Sequence, residues 1–274
     1  SGAFGGGKIY EELVCCEGDL SLDDKSEFQR EVYVRGKLKT GANVQLQAVA
    51  GDSDVTLGAG NEVARWVDAV GKITLGKGCV VHARVCSQDS IEMAGGVHAQ
   101  SLYAPLIYTT GYRPTANYPT MDEDVEEVPG GEQAAKGVNA MPANVTRLAA
   151  DTLLVKGDME LKQGSRVTSN LIVQGTLRSG ADCVFIGDLK ASRIHLGARS
   201  QAYRNVVSGG DIKIEEGCFI GKTVVAETDV ELAAGTRVGH PGNLSVVSAG
   251  NDIRIGADVG VWGKLAAGKM VSTL

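Results

Sequence analysis

The 274-residue chain holds few side chains suited to making or breaking bonds. Its four histidines are His82, His98, His195 and His240, and its six cysteines include the adjacent Cys15 and Cys16 and the matched pair Cys79 and Cys218. Left-handed β-helix acyltransferases, built on hexapeptide repeats, use a histidine base in an inter-subunit groove to deprotonate an acceptor amine or hydroxyl. The stretch IGKTVVAETDVELAAGTRVG, residues 220–239, fits a hexapeptide pattern well enough to make such a transferase the alternative reading. His82 and His195, however, each stand one residue from an apolar hexad position, which turns them outward as solvated side chains. His240 precedes Pro241 in the turn GHPGN and is the best placed of a weak set.

The other chemistries fare no better. β-Helix enzymes that cleave polysaccharides converge several carboxylates on one rigid face, whereas the densest acidic run here is Asp122, Glu123, Asp124, Glu126 and Glu127, inside a Pro-rich stretch. A solvated charge run is the expectation. No two cysteines make a C-x-x-C spacing, so neither a zinc site nor a thioredoxin-type motif is indicated. Cys79 and Cys218 follow glycine in equivalent turns with no repeated base beside them, which reads as packing rather than nucleophilic duty. GAGN and GKGC lack the following helix that a phosphate loop requires, and the sequons at Asn144 and Asn243 are chance-level patterns. No catalytic residue, cofactor, metal or small-molecule substrate is expected.

What the sequence does contain is repetition. GDLSLDDKSEFQREVYVRGKLKTGAN, residues 18–43, returns as GDMELKQGSRVTSNLIVQGTLRSGAD, residues 157–182. The register holds without a gap over 18–111 against 157–250, with 24 of 94 positions identical. Inside each half a shorter unit of alternating apolar residues around a glycine recurs, with turns at 25, 41, 60, 78 and 96 and again at 164, 180, 199, 217 and 235. Such a unit cannot bury its apolar side alone and must stack on copies of itself. Positions six apart carry Leu57, Val63, Ala69, Leu75, Val81, Ser87, Met93 and Ala99, and then Leu196, Ala202, Ser208, Ile214, Ile220, Ala226, Leu232 and Val238. Three six-residue faces make an 18-residue coil, so the fold class is an all-β solenoid, triangular in section, with the period giving no handedness. Leu57, Val63, Leu75, Val81, Ile214, Ile220, Leu232 and Val238 are the expected core.

Composition agrees. Aromatics form 5% of the residues while Gly contributes 37, so the core is small and aliphatic. A net charge of -6 with no long basic cluster argues against nucleic acid as a partner. No apolar run reaches the ~18 residues that cross a bilayer, and the start shows no signal peptide pattern. Reduced thiols in a cytoplasm are the expectation. Ser1 and Gly2 of the opening SGAFGGG read as a cloning remnant, with an upstream segment, such as a membrane anchor, removed. The expected organisation is an N-terminal extension over 1–17, a first solenoid segment over 18–111, a Pro-rich acidic linker over 112–156 and a second segment over 157–274.

The second half, LLVKGDMELKQGSRVTSNLIVQGTLRSGADCVFIGDLKASRIHLGARS followed by GDIKIEEGCFIGKTVVAETDVELAAGTRVG, resembles the bactofilins, the polymer-forming cytoskeletal proteins. The resemblance covers 151–274 well and 18–108 more weakly. It implies a right-handed, three-sheet β-helix that assembles through its ends without nucleotide, often at the inner membrane, as a scaffold for cell-wall or morphogenetic proteins. The expected partner is the chain itself as a homo-oligomer or polymer, together with envelope proteins. The duplicated plan departs from the family's single domain, and a duplicated chain can close its own ends.

Those ends matter because a terminal coil leaves a row of backbone groups open. The segment 251–274 keeps the apolar alternation and supplies one of two tryptophans. Val259, Val261, Trp262 and Leu265 are therefore the expected assembly end, either pairing with another chain or docking on the other half.

Overall fold

The computed structural model describes residues 2–114, 118–119 and 144–274. These build a β-solenoid of about 13 turns of stacked parallel coils. Each coil carries one short strand on each of three faces, as in Leu20–Leu22, Glu27–Phe28 and Val32–Val34. Strands stack in parallel register on the next coil, so that Val55, Thr56 and Leu57 face Ile73, Thr74 and Leu75. Alternation then does the sorting, because a pleat turns successive side chains to opposite sides. Leu57, Val63, Leu75, Val81, Ile214, Ile220, Leu232 and Val238 are all at most 1% exposed in one continuous core. The small residues of the hexads, including Ala69, Ser87, Ala202 and Ser208, are buried with them.

The corners correct the sequence reading at one position in each half. Positive φ falls on Lys25, Asn43, Gly60, Gly78 and Gly96, then on Gly164, Asp182, Arg199, Gly217 and Gly235. Asn43 and Asp182, not Gly41 and Gly180, thus make the left-handed corner, and the intervals are 18, 17, 18 and 18 in both halves. Asn and Asp adopt this conformation more readily than most residues. Gly41 instead provides clearance: a Cβ there would lie 2.1 Å from Asp24 Oδ1 and 2.7 Å from the Asp24 nitrogen.

The boundaries also shift. Residues 2–16, expected as an extension, form a complete coil of strands Gly2–Phe4, Ile9–Tyr10 and Val14–Cys16, each stacked on the coil that follows. This coil fell outside the repeat because glycine fills much of its first third, yet Tyr10 and Val14 stack on Phe28 and Val32. At the other side, Val145–Ala149 and Thr152–Val155 were assigned to the linker but are strands. The second stacks in parallel on Asn170–Ser179, while the first folds back antiparallel upon it. The acidic run from Asp122 to Glu127 lies outside the described residues.

The two halves form one stack. The last strand of the first, His98–Thr109, pairs antiparallel with the last strand of the second, Gly260–Thr273. Each is long enough to pass through three faces of its coil, so the halves meet C-terminal coil to C-terminal coil, and each half's opening coil lies away from the seam.

Candidate assembly interface

The seam is built from the final coil of each half. On the third face Leu102 stands opposite Leu265, with Tyr103 opposite Lys264. The first face of one half meets the second face of the other, placing Ile107 opposite Val261. Leu102, Leu265, Ile107 and Val261 are all at most 1% exposed, so the core runs through the seam without a break. Antiparallel pairing satisfies the edge groups that a terminal coil would leave open.

Two threonines close the corners. The Thr109 hydroxyl donates to the Gly256 carbonyl at 2.9 Å and accepts from the Val259 N–H at 2.9 Å. The Thr273 hydroxyl donates to the Ala94 carbonyl at 2.7 Å and accepts from the Val97 N–H at 2.9 Å. Each threonine thereby clasps the corner of the opposite half. Sequence reasoning missed both, because a small polar residue at an inward position looks the same whether it packs within a coil or bridges two halves.

Of the expected assembly end, Val259, Val261 and Leu265 are buried at this seam, and Trp262 is half-buried beside it. The C-terminal coil docks on the first half. Trp262 Nε1 donates to the Tyr118 hydroxyl at 3.2 Å, and the two rings meet edge to face. Tyr118 in turn shares a 2.7 Å hydrogen bond with Tyr112, over whose ring the Arg237 guanidinium sits at 4.5 Å. Burial, then the bond to Tyr118, pushes the Tyr112 phenol above its ordinary range. Gly260 leaves room for that ring, since a Cβ there would fall 2.2 Å from Tyr112 Cε2. This aromatic cluster anchors the chain as it leaves the first half.

The chemistry-bearing residues are scattered. His82 pairs with Glu62 at 2.7 Å and His195 with Glu215 at 2.8 Å, both on outer faces. The bond from His195, followed by Lys213, holds the Glu215 carboxyl below its usual range. His98 is at the seam, its Nδ1 buried without a partner, and His240 Nδ1 lies 2.9 Å from the Pro241 carbonyl. Cys79 donates to the Gly58 carbonyl and Cys218 to that of Gly197, in matched corners. Burial pushes the Cys79 thiol up and that of Cys218 to about 11, which suits packing rather than attack. Among the described residues no three His, Cys, Asp or Glu side chains are grouped to hold a metal, and no helix is long and apolar enough to cross a membrane.

The first coil offers a second edge of the kind used at the seam. Strands Gly2–Phe4, Ile9–Tyr10 and Val14–Cys16 each pair on one side alone among the described residues. Phe4, Tyr10 and Phe28 form a ring cluster beneath, with centroids 4.8 to 5.5 Å apart. Ile9 and Leu13 are 60% and 58% exposed. No family model, curated protein or solved structure matches this chain.

Proposed function

We propose that this protein is a non-enzymatic structural scaffold of bactofilin type that associates with itself through its coil ends. The observation that carries the reading is the seam itself: two terminal coils of this fold, brought together, join edge to edge with a continuous core. A terminal coil is thus a surface that another such coil satisfies, and among the described residues the strands of the first coil each pair on one side alone, with the exposed apolar Ile9 and Leu13 around them. Envelope or membrane-bound partners follow from the family resemblance alone and belong to the same proposal.

Sedimentation of the purified full chain, with negative-stain microscopy, tests this reading. Rods longer than one chain support it; a monomer at all concentrations overturns it. Saturable binding of an acyl carrier thioester in calorimetry would replace it with the transferase.

A further inference from the structure

We propose that the first coil docks on the first coil of a second copy, third face to third face, with Cys15 opposite the partner's Cys15, giving a closed dimer of rods. This inference rests on the end-association reading and specifies its geometry and its stopping point.

The backbone of Val14–Cys16 supplies the register. The Val14 N–H donates to the Glu31 carbonyl at 3.1 Å, and the Cys16 carbonyl accepts from the Arg35 N–H at 2.9 Å. Both residues therefore turn their bonding groups to the coil behind. Bonding direction alternates along a strand, so the N–H and C=O of Cys15 both face the open edge. A three-residue edge whose central residue alone is open is self-complementary: two antiparallel copies exchange both bonds between the two Cys15 residues, at a Cα separation of about 5.5 Å. Twofold contacts require this kind of self-match. In that register inward Val14 lies opposite the inward side of Cys16 from the other copy, so apolar faces apolar, as Leu102 does Leu265 in the seam. The seam's crossed arrangement, first face on second, would bring Gly2–Phe4 against the strand Ile9–Tyr10 of the other copy.

The opposite end of the rod differs. There Val145–Ala149 already lies antiparallel on Thr152–Val155, the first third-face strand of the second half. The edge that would guide a third-face contact is occupied by the chain's own strand, so the Cys15 contact has no counterpart there, and a twofold contact made at one end alone joins two copies.

The test uses the full chain at several concentrations, sedimentation, and a short bismaleimide linking thiols. A dimer is expected, joined by a cross-link that Cys15→Ser abolishes while Cys16 and Cys86, the partly exposed thiols, remain. Cys15→Pro deletes the edge-facing N–H, a change tolerated on an edge strand, and should give a folded monomer. Cys15→Lys, which sets like charges opposite each other, should do the same without altering the backbone. Higher polymers, or a dimer that does not cross-link through Cys15, overturn the closed dimer and leave end association standing. A monomeric wild-type chain overturns both.

Discussion

Thr109 and Thr273 occupy matching places on opposite sides of the seam, and each bonds the corner that lies across from it, Gly256 to Val259 and Ala94 to Val97 respectively. The relation is reciprocal although the two corners share little sequence. Either hydroxyl, if removed, leaves a carbonyl without that partner and strands a buried backbone N–H, that of Val259 or of Val97.

Thr109→Val and Thr273→Val should therefore each cost about 1–3 kcal/mol, the penalty of a buried polar group left without a partner. The two losses should be similar. Urea unfolding measures both, and a variant pair differing several-fold would mean that one clasp is decorative.

The core makes a sharper demand. Leu75→Ala or Ile214→Ala removes a fully buried aliphatic side chain from a stack with neighbours above and below, at a cost of about 2–5 kcal/mol. Lys39, outward and exposed on the strand Leu38–Thr40, should tolerate alanine within about 0.5 kcal/mol. Lys72 is a poorer control because its ammonium meets Glu92 at 2.6 Å. Equal tolerance at inward and outward positions would reverse the assignment of the faces.

At the corrected corner, Asn43 and Gly41 should behave oppositely to the pattern that the glycine suggests. Asn43→Gly keeps the left-handed conformation and should change stability by only a few tenths of a kcal/mol. Gly41→Ala drives a methyl into the Asp24 backbone and carboxylate and should cost about 1–3 kcal/mol. Thermal unfolding of the two variants separates them; a benign Gly41→Ala would restore Gly41 as the corner.

Local repetition wrote most of the solenoid into the sequence. Every hexad position from Leu57 to Ala99 and from Leu196 to Val238 is inward, because a two-residue alternation leaves no other way to bury the aliphatics. The corner slipped by two residues because glycine serves both for left-handed backbone and for close approach, and only the folded backbone tells the two apart. The first coil was missed since Gly5, Gly6 and Gly7 break the apolar rhythm before Ile9. The seam was partly legible: Val259, Val261 and Leu265 continue the alternation, but the partner strand His98–Thr109 could not be named, because antiparallel pairing between distant segments leaves no spacing to read. Nothing marked Thr109 or Tyr118, whose hydroxyls meet their partners across the seam only once the two halves are brought together.

The aromatic anchor beside the seam gives a pH signature. Tyr112 is 7% exposed, and its phenol, held above the ordinary value of 10.0 by burial and by Tyr118, binds its proton more tightly in the folded chain than in the unfolded one. Its contribution is thus fully present below pH 10 and is lost as pH climbs above it, when the unfolded chain ionises first. Tyr112→Phe deletes the hydrogen bond to Tyr118, costing about 0.5–1.5 kcal/mol at pH 8, but also deletes the titration. The wild-type advantage should accordingly shrink above pH 10 by up to about 1.4 kcal/mol per unit, until near pH 11 the phenylalanine variant matches or exceeds it. Titrating groups that do not touch the Tyr112 hydroxyl are common to both chains and cancel in the difference, and a Tyr112→Phe, Tyr118→Phe double variant set against Tyr118→Phe removes the one that does, Tyr118. Urea unfolding of the pair at pH 8, 9.5, 10.5 and 11 reads it directly; parallel stability curves would show that Tyr112 ionises as freely in the folded rod as in the unfolded chain, and that the cluster does not seal the seam's edge from water.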